Sequence, residues 1–297
     1  MTTTLKRIST STALILSAGF AAEVLGYRAF HQLVRQDVEA LLGGVKVAEP
    51  TIVTAEMLDG LPVPVRRYLT YSGVMGKPIP QRVHLRQAGR MQLNPALPWV
   101  RLSAEEHYSI DPPGFVWDGT AYLGPIPIAR ARDRYLGGHG GMLVRVASLV
   151  RVADATGPEI DQAEMMRYLN EMMWFPAAFL GANISFEAVD ESSARVTLAD
   201  RDQTSTATML FDEVGRLTDF VAPRYRLIDG QAELALWSTP VTSYRDFEGL
   251  RLPSAGKVFY KLEDGDLEYI EVTVTELRYD TRLPAEPSGA TTEVKTA

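Results

Sequence analysis

From Gln81 to Tyr279 apolar and polar residues alternate in long runs, the period of half-buried strands. In residues 99–110, Val100, Leu102, Ala104, Glu106 and Tyr108 fall on one face. Arg101, Ser103, Glu105 and His107 fall on the other. Val83, Leu85, Gln87 and Gly89 to Met91 form the strand before it, and short strands follow at 115–117 and 126–128. Residues 130–136 carry charge at alternate positions, and 142–152 resume as an apolar strand or short helix. Downstream, 184–189, 194–200, 204–211, 217–227, 232–244, 252–262 and 267–279 read as a meander. Asp229-Gly230 and Asp264-Gly265 supply its hairpin turns. Pro240, which has no amide to donate, marks a bulge or an edge.

One segment, 161–181, breaks this alternation. Asp161 and Glu164 have the spacing of a capping box, so the pattern starts a helix there. Met165, Leu169, Met172 and Met173 form one helical stripe, widened by Met166. Arg167, Asn170, Glu171 and Trp174 occupy the opposite side, with Arg167 and Glu171 spaced for an ion pair. Pro176 interrupts or restarts the helix, and Gly181 stops it. Either this is a core helix with an outer salt bridge, or one side is covered while the other lines a cavity. Flexible, polarizable methionines suit a wall that adapts to apolar ligands.

The N-terminal part is helical too. Lys6 and Arg7 precede an uncharged run over 8–22, the order of a targeting signal. Phe30, Leu33, Val34, Val38, Leu41 and Leu42 then make an amphipathic helix ending near Gly43-Gly44. A cleaved signal peptide, an uncleaved membrane anchor and a soluble helix all fit, and the first two place the protein outside the cytoplasm. Pro64 opens a further helix that turns Val65, Tyr68 and Leu69 inward and closes at Ser72-Gly73. The expected organisation is a signal or anchor helix over 1–44, one domain over 51–280 and a flexible tail over 281–297.

Composition narrows the chemistry. A net charge of −7 argues against a nucleic-acid partner. With no cysteine, disulfides, thiolate nucleophiles and Cys-ligated metals are excluded. His31, His84, His107 and His139 form no metal-spaced motif, so neither a metal nor another cofactor is expected. The glycine run 137–141 reads as a flexible loop; it lacks the Lys-Ser/Thr ending of a phosphate loop. There is no Gly-x-Ser-x-Gly elbow and no assigned catalytic residue. Glu105 and His107 share a strand face, as an acid–base pair or as a solvated surface.

Long antiparallel strands interrupted once by helix imply an α+β fold: a large curved sheet, or half-barrel, with the helical insertion on its concave face and helices before it. That architecture resembles the half-barrel of the bacterial lipoprotein carriers, in which sheet and lid enclose an apolar cavity. A set of local patterns is similar to a bacterial family of unknown function with no assigned activity. They are Leu61-Pro-x-Pro-Val-Arg-Arg-Tyr-Leu69, Gln87-x-Gly-x-Met91, Pro113-Gly-Phe-Val-Trp117, Arg167-Tyr-Leu-x-Glu-x-x-Trp-Phe-Pro176, Arg224-Tyr225 and Gly249-x-Arg-x-Pro253.

The resulting expectation is a cell-envelope protein that binds an amphipathic or lipid-like molecule between sheet and helix. Met166, Arg167, Leu169, Glu171, Met173, Trp174, Arg224 and Tyr225 are the candidate ligand contacts. Arg167 or Arg224 would grip an anionic head group. Two alternatives stand beside it. One is a hydrolase or isomerase using Glu171, His107 or Asp133 in the same cavity. The other is a non-catalytic envelope scaffold binding through a sheet edge.

Overall fold

The computed structural model describes residues 2–45, 49–94, 96–228 and 230–280, with side chains from residue 21 onward. The expected tail over 281–297, the side chains of the signal-like stretch and Asp229 of one expected hairpin lie outside the described residues. Three helices are present among those described: α1 (Thr2–Gly43), α2 (Val63–Ser72) and α3 (Pro158–Glu171). Six strands precede α3: β1 (Arg82–Met91), β2 (Val100–Ser109), β3 (Gly114–Leu123), β4 (Ile126–Leu136), β5 (His139–Val146) and β6 (Val150–Ala155). Eight follow: β7 (Ile184–Ala188), β8 (Ser193–Asp200), β9 (Gln203–Phe211), β10 (Leu217–Ile228), β11 (Gln231–Ser238), β12 (Val241–Phe247), β13 (Leu250–Leu262) and β14 (Gly265–Tyr279).

All of them join one antiparallel sheet in the order β6-β5-β4-β3-β2-β1-β14-β13-β11-β10-β9-β8-β7, with β12 paired to β13. The expected run over 232–244 is split in two at Thr239-Pro240, where a ladder amide is missing. The fold is α+β, a curved open sheet with a helical insertion, as the alternation implied.

The curvature follows from who touches α3. It packs on β5 at one side and on β9 and β10 at the other. From β5 to β9 is nine strand steps. Laid flat, those steps would span about 43 Å at roughly 4.8 Å each, far more than one helix covers. The sheet therefore wraps around α3. Its flanks meet directly: Tyr135 on β4 donates to Asp200 at the end of β8 (2.8 Å), and Gln203 on β9 donates to the carbonyl of Gly138 (2.7 Å).

The main core fills the concave side, between the sheet, α2, α3 and the two 3-10 turns that continue α3, Met172–Trp174 and Pro176–Leu180. Helix α1 lies on the convex side. There Phe30, Val34, Val38, Leu41 and Leu42 pack with Val116 and Leu143. Arg132 and Arg134 of β4 both donate to Asp37, at 2.7 and 2.9 Å. The alternating charge of 130–136 thus serves two faces: arginines outward to α1, Asp133 inward to α3. No described helix is long and apolar enough to cross a membrane.

Two local expectations change. Helix α3 starts a turn early, at Pro158, because Gly157 and a proline in the first turn set its entry. Asp161 is then inside the helix and accepts from the amide of Gly140 (2.7 Å) instead of closing a capping box. The glycine run is not a loop throughout. Gly137 and Gly138 make the β4–β5 turn with positive φ, and Gly140 lies in β5 against α3. A Cβ on Gly140 would lie 2.4 Å from the Ile160 carbonyl oxygen.

Candidate functional site

Helix α3 presents one stripe, Ile160, Ala163, Glu164, Arg167, Asn170, Glu171 and then Trp174, to a cavity of about 830 Å³. That spacing is the 3.6-residue period of a single helix face. The opposing wall comes from the concave sides of β1–β5 and β10–β14. Its apolar part includes Leu102, Val144, Val258, Ile270, Val272 and Val274. Tyr260 and Tyr269 stack on it with centroids 5.2 Å apart. The mouth is rimmed by Leu93, Asn94 and Ile228, which are exposed, at the hairpin tips. At the other ends of these strands α2 covers the concave side. Its Tyr68 packs on Phe211 and Phe179 and donates to the carbonyl of Met173 (3.2 Å).

The polar end of the cavity is an ion cluster. Arg167 donates to Glu171 (2.8 Å), to Asp133 on β4 (2.9 Å) and to Glu106 on β2 (3.1 Å). Its guanidinium also lies 5.0 and 4.9 Å from the ring centres of Phe115 and Trp117. Arg224 on β10 donates to the Ala163 carbonyl and to Tyr260, each at 2.9 Å, sits 3.6 Å from Glu164, and lies over Trp237 at 5.0 Å. Tyr108 donates to the second oxygen of Glu171 (3.1 Å). Trp117 donates to Gln87, which turns its amide toward Glu106 (3.1 and 3.4 Å). Gly119 makes room for that indole, since a Cβ there would lie 2.1 Å from it.

Four carboxylates therefore share two guanidiniums. Burial first, and mutual repulsion second, hold the Glu106 carboxyl well above the ordinary range and raise Asp133 as well. Burial and the neighbouring Asp133 push Glu164 up to about 8, against the pull of Arg224. Burial works against the charge of Arg167, but Glu171, Glu106 and Asp133 more than offset it. Two acceptor atoms, Asp133 Oδ1 and Glu164 Oε2, are buried without a hydrogen-bond partner. Both residues line the cavity.

Six of the eight residues expected from sequence line the cavity: Arg167, Glu171, Met173, Trp174, Arg224 and Tyr225. Tyr225 also accepts through its carbonyl, from Tyr260 (3.4 Å). Met166 and Leu169 do not. They are fully buried in the main core, on the side of α3 turned from the cavity. Neither arginine is free to grip an anion, because the donors of both are directed to carboxylates, a carbonyl and a phenol. His107 is not in the cavity: it alternates with Glu106 along β2 and faces the convex side. Glu105 shares that face with His107, so the carboxylate–imidazole pair lies outside the cavity.

Glu106 and Glu164 are not expected in the cavity from sequence, and Asp133 is expected there only as the acid or base of the catalytic alternative. Two were readable as misfits. Glu106 interrupts the apolar face of 99–110, and Asp133 faces opposite to Arg132 and Arg134. Glu164 was assigned to a cap that does not form.

A family model matches residues 51–272, three quarters of the chain, from just before α2 into β14. The chain belongs to DUF6544, a family of unknown function. The DUF6544 region thus contains every residue of the ion cluster and leaves α1 outside. Among curated proteins none matches the chain. Among solved structures it is similar to a LolA superfamily protein from Nitrosomonas europaea, with 10% identity and a TM-score of 0.41, over 78% of this chain and 96% of that one. It is also similar to a DUF1329 family protein from Desulfovibrio piger, with 11% identity and a TM-score of 0.43, over 75% and 95% of the two chains.

Proposed function

We propose that this DUF6544 protein binds an apolar molecule in the cavity beneath α3, lipid-like in its body and hydrogen-bond-donating at its polar end. The single observation that carries this reading is the pair of partnerless buried carboxyl oxygens, Asp133 Oδ1 and Glu164 Oε2, at the polar end of a mostly apolar cavity. A volume of about 830 Å³ lies within the range of roughly 300–1,000 Å³ that small-molecule sites occupy. An acceptor left dry and unpaired costs free energy that a ligand donor would recover. A hydroxyl satisfies both atoms, donating to Asp133 Oδ1 and pairing with the Glu164 carboxyl, and an amine donates to Asp133; a carboxylate or phosphate has no proton to offer Asp133 Oδ1 and meets it with like charge. Of the remaining cations of the wall, Lys257 is engaged with Glu268 and Glu271, while Arg226 pairs with Glu233 through Nη2 and keeps a buried Nε without a partner, a donor that a ligand hydroxyl can also satisfy.

The reading places the protein in the cell envelope, with Lys6, Arg7 and the uncharged run after them as export signal or anchor. Ligand would enter past Leu93 and Ile228. Native mass spectrometry of full-length protein prepared without detergent tests the claim. A copurifying apolar species of one per chain is expected, and it should be lost when Val258→Trp fills the cavity. Bare protein mass alone, before and after incubation with total membrane lipid, would contradict the proposal.

A further inference from the structure

On the convex face, behind the ion cluster, β1 and β2 bring two histidines and a glutamate together. His84 and His107 are direct cross-strand partners, and their rings stack with centroids 4.6 Å apart. Glu105, two residues before His107 and on the same face, puts Oε1 2.6 Å from His84 Nε2 and 4.0 Å from His107 Nε2. One ligand atom from each of the three lies within 4.8 Å of the others. A hydrogen-bonded His–Glu pair would need one imidazole; the second ring, stacked in register with its nitrogen turned to the same oxygen, has no such use.

We infer that His84, Glu105 and His107 form a binding site for a divalent transition metal of the zinc class. Two imidazoles and one carboxylate are a donor set that such ions take, with remaining positions left to solvent. The site is rigid where it should be and open where it must be. Both histidine side chains are 14% exposed and fixed on paired strands, while Glu105 is 42% exposed and gives access.

Two neighbours bear on the charge. Arg86 lies 3.7 Å from Glu105, but it is 56% exposed and equally near Glu276, to which it can swing. Asp118 faces Glu105 across the β2–β3 pairing and keeps Oδ1 without a partner, so it adds negative charge beside the ion. Residues 105–107 thus serve two sites: Glu105 and His107 on the metal outside, Glu106 on Arg167 inside.

Full-length protein stripped with chelator and titrated with Zn2+ by calorimetry decides this. One equivalent per chain is expected, with a rise in melting temperature on loading. Co2+ should give visible bands of a four- or five-coordinate centre. His84→Ala, His107→Ala and Glu105→Gln should each weaken binding at least tenfold and abolish the Co2+ bands, while His139→Ala, at an exposed turn, should bind as wild type. Circular dichroism of each metal-free variant verifies that it is folded, and Glu105→Gln keeps the packing. No Zn2+ binding by the wild type, or equal binding by a folded His84→Ala/His107→Ala double variant, would overturn the inference.

Discussion

Replacing Arg167 with Ala is expected to remove about 3–5 kcal/mol of folding stability, the cost of stranding buried charge when one partner is deleted. The geometry explains why this position should exceed an ordinary core truncation. Three carboxylates, from β2, β4 and α3, converge on one guanidinium that lies over the rings of Phe115 and Trp117. Deletion opens a void and leaves Glu106, Asp133 and Glu171 to repel one another in a dry site. A domain is stable by only about 5–15 kcal/mol, so the variant should lose a large fraction of its stability. Arg167→Lys should be intermediate, since an ammonium cannot present three planar donors or stack on the rings. Urea denaturation at neutral pH measures both. Losses under about 1 kcal/mol, the size of an exposed pair, would mean the cluster is hydrated.

Stability should also fall as pH rises, and Glu164 should account for much of the slope. Its carboxyl titrates near 8 in the folded protein against an ordinary 4.5. The folded state then holds a proton that the unfolded chain releases from pH 4.5 upward. The contribution is full below 4.5, declines across the interval and is gone above about 8, at up to roughly 1.4 kcal/mol per pH unit. The groups facing Glu164 are Asp133 from β4, Arg224 from β10, and Arg167 and Glu171 from its own helix. Glu106 and Asp133 are also raised and slope the same way, so the informative quantity is a difference. Glu164→Gln mimics the protonated form at every pH. Its urea midpoint should match wild type at pH 5 and exceed it at pH 8.5. Parallel curves would show that Glu164 is ionised in the fold.

The alternation in the sequence was enough for the sheet, and the helical period was enough for α3 as its insertion. The i, i+4 spacing of Arg167 and Glu171 held as an ion pair. The side carrying Arg167, Glu171 and Trp174 does line the cavity, and of the expected apolar contacts only Met166 and Leu169 do not. A helix wrapped by sheet on both flanks is buried on its polar and its apolar side alike, so a methionine stripe does not by itself mark a cavity wall. Here the cavity wall is the polar stripe, and Met166 and Leu169 are core. The charge of that wall was not legible for a different reason. Glu106 and Asp133 reach Arg167 from 61 and 34 residues away. Only the strand register, which no local pattern specifies, decides that they meet. The same holds for His84 and His107, whose cross-strand pairing depends on the β1–β2 register. A lone acid in an apolar strand face was the available signal, and it pointed to both Glu106 and Asp133.

The central claim is that the cavity accepts an apolar chain with a donor at its end and rejects an anion. Equilibrium binding of three straight-chain amphiphiles of equal length, an amine, an alcohol and a carboxylate, each below its micelle concentration, tests it most directly. Trp117, Trp174 and Trp237 line the cavity and report occupancy by quenching. The amine and the alcohol should saturate one site per chain, with the carboxylate at least about tenfold weaker, a difference of roughly 1.4 kcal/mol. Equal or tighter binding of the carboxylate would contradict the account.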